Sequence, residues 1–259
     1  MRHESLRLAW GLALAVALAG CASNGASTPA HSGPSHAKMS NKGLANLQLA
    51  QNYLRAGRLD VALDRANRAL RLDPQSADVQ VVLGMIRQQL NDEARAGEHF
   101  DRAVKLAPEA GHVLNVRGVW LCERNRYDEA DALFTRAVAD PFYEAKAQSY
   151  FNAGRCAMLG NRLDRAEVPL RRGLELEPNN PLLLEQMARL QFRQGNFMSA
   201  RAFFQRREAQ GEVGAEMLDL AVAIEEGAGD RAAAERYRAR LRQAFPDYTP
   251  TAREGSPQS

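Results

Sequence analysis

Apolar residues along most of this chain recur at helical spacing, in blocks that themselves recur between Gly43 and Pro246. In the first block Leu49 and Tyr53 mark one amphipathic stripe, and Leu59, Leu63 and Leu70 mark a second. A later block repeats the arrangement with Tyr150 and Leu159, then Leu163, Leu170 and Leu174. Polar pairs separate the two stripes of each block: Gly57-Arg58, Asn91-Asp92, Asn125-Arg126, Gly160-Asn161, Gly195-Asn196 and Gly229-Asp230. Glycine and asparagine tolerate the left-handed conformation that ends a helix. The pattern predicts an all-α chain of helix pairs joined by tight turns.

The prolines give the period. Pro74 and Pro108 are 34 residues apart, and Pro178 and Pro246 are 68 apart. Pro141 falls one residue short of the register, and a small insertion follows it. One position of the block holds Ala50, Gly84, Gly118, Gly154, Ala188 and Val222. Another, twelve residues later, holds Ala62, Ala96, Ala130, Ala166, Ala200 and Ala234. The small residue lets two helices approach closely, and the alanine is expected to meet that gap. Phe100, Phe134 and Phe204 are expected to fill the space between blocks. A 34-residue period with this pattern resembles the tetratricopeptide repeat. The resemblance implies a right-handed superhelix of about six repeats over residues 41–246. Its units lie near 43–76, 77–110, 111–146, 147–180, 181–214 and 215–246. The last two depart from the pattern, with Arg207, Glu212 and Val222 at unusual places, as terminal repeats do.

A different kind of segment precedes the repeats. An apolar run from about Leu8 follows Arg2 and Arg7 and closes on Leu18-Ala19-Gly20-Cys21. This reads as a signal peptide over residues 1–20. It is shorter than the roughly 20 apolar residues of a membrane span. The small pair before Cys21 resembles a bacterial lipobox. That resemblance implies lipid on the Cys21 thiol, and Ala22 in place of an aspartate implies an outer-membrane destination facing the periplasm. A plain secretory signal is the alternative. Residues 21–40 are rich in Gly, Ser and Pro and read as a flexible tether spanning about 25 Å. Residues 247–259 read as a disordered polar tail.

Charge and chemistry narrow the function. The 34 basic and 31 acidic residues leave a net charge of +3, too little to suggest nucleic acid. His31 and His36 lie in the tether, and no zinc spacing, phosphate loop or nucleophile elbow occurs. The expectation is therefore a non-enzyme with no metal, no cofactor beyond the lipid, and no small-molecule substrate. Cys122 and Cys156 are 34 residues apart. That spacing would let them face each other on neighbouring repeats, and an oxidising compartment permits a bridge. Two unpaired, buried cysteines are the reading taken from sequence.

What remains is surface. First helices of stacked pairs line the concave side. Unit one offers Leu44, Leu47, Gln51, Leu54 and Arg55 there. Unit two offers Asp78, Val81, Met85 and Gln88, and unit three His112, Asn115, Val119 and Cys122. Unit four offers Phe151, Arg155 and Met158. The site expected from these is a partly apolar groove for a partner helix or peptide. Leu44, Leu47 and Leu54 read equally well as filling of the first repeat. The stretch Lys42 to Leu54 and the turn Gly57-Arg58-Leu59-Asp60-Val61-Ala62-Leu63 resemble the PilF/PilW family of type IV pilus biogenesis lipoproteins. The resemblance implies a pilotin that brings the outer-membrane secretin to the membrane and promotes its oligomerisation. A regulator of a peptidoglycan synthase or hydrolase, or a subunit of an outer-membrane protein assembly machine, is the alternative.

Overall fold

The computed structural model describes residues 39–250. The signal segment, Cys21, the tether up to residue 38 and the tail beyond residue 250 lie outside the described residues. The described residues form twelve helices and no strand, paired into six units. The first helices are α1 (Asn41–Arg55), α3 (Ala77–Gln89), α5 (Gly111–Cys122), α7 (Lys146–Leu159), α9 (Pro181–Arg193) and α11 (Ala215–Gly227). The second are α2 (Leu59–Leu72), α4 (Glu93–Leu106), α6 (Tyr127–Ala139), α8 (Leu163–Leu176), α10 (Phe197–Glu208) and α12 (Arg231–Ala244). The all-α superhelix of six repeats expected from the 34-residue period is the fold observed.

Local chemistry sets the helix ends. Each turn within a unit has one residue of positive φ: Gly57, Asn91, Asn125, Asn161, Gly195 or Gly229. In the fourth unit the left-handed residue is Asn161, while Gly160 closes the helix before it. Ser40, Ser76, Asp92, Asn180 and Asp230 accept from backbone N–H groups of the helices they open. Each such cap contributes about 1 kcal/mol.

The recurring alanines are all sealed, from Ala62 to Ala234. They do not fill the gap left by the small residue of the first helix, however. That space belongs to the residue four places further on. A Cβ on Gly84 would lie 2.6 Å from the ring of Phe100, and one on Gly118 2.7 Å from Phe134. Gly154 stands in the same relation to Leu170. Phe100 and Phe134 thus lock the two helices of their own unit, besides reaching the next one through contacts such as Phe100 with Trp120. Burying each ring contributes about 2–3 kcal/mol.

Unit six lacks this pair, since Val222 faces a register occupied by Arg238. Its junction with unit five is closed differently. Arg201 forks onto the buried carboxylate of Glu225, and Phe204 meets Tyr237 edge-on at 5.4 Å. Phe245 and Tyr248 then pack against the last core cluster, so the ordered body extends past Pro246. At the other end Met39 packs on the first core, and the Ser40 hydroxyl donates to Asp73 at 2.9 Å.

Candidate functional site

The backbones of successive first helices approach one another, from α1 with α3 through to α9 with α11, whereas successive second helices meet only through long side chains such as Arg165 on Asp128 and Arg240 on Glu208. Elements on the inside of a curve lie closer together, so the first helices form the inner face. The residues expected to line a groove there divide into two sets. Leu44, Gln51, Met85 and Arg155 are exposed, and Gln88, Val119 and Phe151 are half-buried. Leu47, Leu54, Val81 and Met158 are buried and belong to core clusters. Each first helix after α1 packs against its own second helix, the second helix of the preceding unit and its neighbouring first helices, while α1 packs against α2 and α3. That encirclement draws in more of the apolar stripe than a single buried face would.

The open part of the inner face is bridged by polar contacts between units. His112 Nε2 lies 2.6 Å from Asp78 Oδ1 across α5 and α3. Gln88 donates to Glu123 at 2.5 Å across the same helices. Between α5 and α7, Ser149 Oγ donates to Asn115 Oδ1 at 2.8 Å and Asn152 Nδ2 donates to the same oxygen at 2.9 Å. Further along, Arg189 donates to Glu185 at 3.0 Å and to Glu216 of the next unit at 3.4 Å. Sequence reasoning placed Asn115 on this face but missed Ser149 and Asn152. The signal was present: Ser149 follows Asn115 by 34 residues.

The α5–α7 junction carries more than this network. Cys122 and Cys156 form a disulfide, with Cα atoms 5.8 Å apart. This corrects the reading of two free cysteines. The insertion between units three and four lengthens the local register, so the two cysteines hold different positions in their repeats. Cys122 lies four residues past Gly118, and Cys156 two past Gly154. That offset slides one sulfur toward the other. The insertion itself is anchored: Asp140 accepts from Gly111 N at 2.8 Å and from Phe142 N at 2.9 Å. Tyr143 packs under Gly111, and burial pushes its phenol up, with the nearby Ser149 hydroxyl partly offsetting that.

Titratable groups on the body have structural roles. His99 Nδ1 lies 2.7 Å from the Gln80 amide oxygen. Burial, and secondarily Arg87, hold this imidazole below its ordinary value. Trp120 is stacked between Arg117 and Arg124, whose guanidinium carbons sit 4.1 and 4.0 Å from its ring. Among the described residues no three His, Cys, Asp or Glu side chains converge as a metal site would require. No described helix is long and apolar enough to cross a membrane.

Known proteins match this architecture. Residues 47–111 and 121–181 match the tetratricopeptide-repeat family. Over 242 residues the chain is 26% identical to the type IV pilus assembly protein PilF of Pseudomonas aeruginosa, covering 93% of this chain and 95% of that one. The crystal structure of PilW, a widely conserved type IV pilus biogenesis factor, superposes with a TM-score of 0.75. Identity there is 29%, over 81% of this chain and 96% of PilW. The structure of Pseudomonas aeruginosa PilF gives a TM-score of 0.72 at 26% identity, over 80% of this chain and 93% of PilF. Repeat period, helix order and this nearly end-to-end likeness converge: the chain is built of tetratricopeptide repeats and folds like the type IV pilus biogenesis proteins PilF and PilW.

Proposed function

We propose that this chain is an outer-membrane lipoprotein that works as a pilotin-like scaffold. Anchored through lipid on Cys21, it holds a segment of the type IV pilus secretin on its inner face and promotes secretin localisation and assembly. The observation that carries the reading is the match to PilF across nearly the whole of both chains. The Cys122–Cys156 bridge adds independent support, because structural disulfides persist in oxidising compartments such as the periplasm. Cys21 follows the small pair Ala19-Gly20 that lipid attachment requires. Two acyl signals make anchoring stable, and tethering raises the local concentration of whatever the inner face holds.

The test is made in the source bacterium. Cys21→Ser should leave the body folded, yet reduce heat-resistant secretin multimers in outer-membrane fractions and abolish twitching motility. Normal multimers in that variant would overturn the anchoring step. Met85→Glu, at an exposed inner-face position, should release the secretin from co-purification while the melting temperature stays unchanged. Normal motility with altered cell shape after gene deletion would favour a cell-wall role instead.

A further inference from the structure

We propose that the rim of the body from which the tether leaves rests on an anionic phospholipid surface. Lys42, Arg71, Lys105 and Lys146 lie on the headgroups, and Leu72 and Phe142 dip between them. The proposal rests on the reading that Cys21 carries lipid, and adds which side of the body meets the bilayer.

Topology makes the rim. Each unit is two helices joined by a tight turn, so every link between units falls on one rim and every turn within a unit on the other. The chain enters the body on the first of these rims. Ser40 donates to Asp73, in the first link, through its backbone N–H at 3.0 Å and its hydroxyl at 2.9 Å. Cys21 precedes Met39 by 18 residues. A flexible coil of that length keeps the lipid within about 25 Å of this rim in root-mean-square terms.

Charge on the same stretch points to an anionic surface. The chain has only four lysines among its 34 basic residues. The three described ones all stand on this rim: Lys42 in the first turn of α1, Lys105 in the last turn of α4, and Lys146 at the start of α7. Helix electrostatics disfavour Lys42 and Lys146, because a first turn carries the positive end of the helix dipole. None of the three makes an ion pair among the described residues. Arg71, in the last turn of α2, is the fourth cation. In the first three links Asp73 and Asp140 are half-buried and bonded, Asp73 to Ser40 and Asp140 to the N–H groups of Gly111 and Phe142. Glu109 and Glu144 are the exposed acids there, two against four cations whose longer side chains reach past them.

Apolar groups complete the surface. Leu72 and Phe142 are 45% and 54% exposed at these links, and such side chains gain by entering the boundary between headgroups and acyl chains. Further along, the rim bears exposed Glu175, Glu177 and Glu212, so contact is confined to the tethered end. Each basic residue at an anionic surface strengthens binding about fivefold. That is weak alone, and sufficient once lipid holds the body close by.

The lipidated full chain is placed on vesicles of phosphatidylcholine, alone or mixed with phosphatidylglycerol, that contain a headgroup-nitroxide lipid. A bimane label at Ala145→Cys, exposed on the tethered rim, is compared with the same label at Ala56→Cys, exposed on the opposite one. On the mixed vesicles the first should be quenched about threefold more than the second, and high salt should erase the difference. Lys42→Glu, Lys105→Glu and Lys146→Glu combined should make the two labels equal. The thermal midpoint should hold or rise, since carboxylates suit helix N-termini. Equal quenching in the parent chain, or a difference unmoved by the triple charge reversal, would overturn the proposal. A dimer in detergent that the triple variant loses would give the rim to a second copy, and overturn it likewise. Flotation with pure phosphatidylcholine vesicles separates the rim from the anchor. If the chain floats there and the labels still match on mixed vesicles, only the rim fails. If it does not float there, the anchor reading fails. The rim is then decided by the Cys21→Ser chain on phosphatidylglycerol vesicles: binding that the triple variant loses supports it, and binding that is absent or unchanged overturns it.

Discussion

A methyl group added at Gly118 would sit 2.7 Å from the ring of Phe134, which is itself almost completely buried. Neither can retreat without moving α5 away from α6. Gly118→Ala should therefore cost about 1–3 kcal/mol, read as a lowered urea midpoint at unchanged slope. The same substitution at Gly57 meets nothing within 4 Å, and only its positive φ of 69° resists it. Small residues at period 34 were legible in the sequence, as were the sealed alanines. Which large side chain covers each small one was not, because that depends on how the second helix is rotated when it docks. His99 gives a second consequence at this scale. Its folded pKa is lowered, so between that value and about 6.5 the unfolded chain binds more protons than the folded one. Burial pushes it down most and Arg87 adds to that, while Glu98 and Asp92 push it up. Stability from this site is complete above pH of about 6.5 and declines as acid carries the pH down through the folded value. A series of thermal melts should show this slope, and His99→Gln should flatten it.

At the scale of elements, the inner helices show where sequence pattern reaches its limit. Leu44 and Leu47 are three residues apart on one helix, and both are apolar. Leu44 is 43% exposed and Leu47 only 4%. Periodicity assigned both to the same face. The neighbours α2 and α3 decide between them, and neighbours are not written into a single helix's stripe. The cysteines tell a related story. Equal spacing suggested equivalent positions, but the turn residues Asn125 and Asn161 are separated by two residues more than one period. The insertion thus makes the bridge by breaking equivalence, and supplies Asp140 and Tyr143 to brace the same junction. Closing a loop of sequence separation 34 should contribute about 4 kcal/mol in the chain-entropy account. Paired Cys122→Ser and Cys156→Ser changes, or reduction with dithiothreitol, should lower the chemical unfolding midpoint accordingly. An unchanged midpoint would mean that the packing around the bridge supplies the stability alone.

Across the whole body, stability runs along one dimension, each unit resting on the next. The ends are where the repeat pattern thins, and the structure shows what replaces it. Met39 and Ser40 close the first unit, while Phe245 and Tyr248 close the last. These closures are not written in the repeat pattern, whereas the count and order of units follow from the prolines and turn residues. The covalent link inside this linear stack has a mechanical consequence. A pull applied to the two ends of the body would strip units from the outside inward until it met the sulfur bridge. The chain between Cys122 and Cys156 would then be bypassed, withholding roughly 110 Å of extension. Under tension the molecule would lengthen like a cord with a knot at its middle, and a reductant would let out the slack.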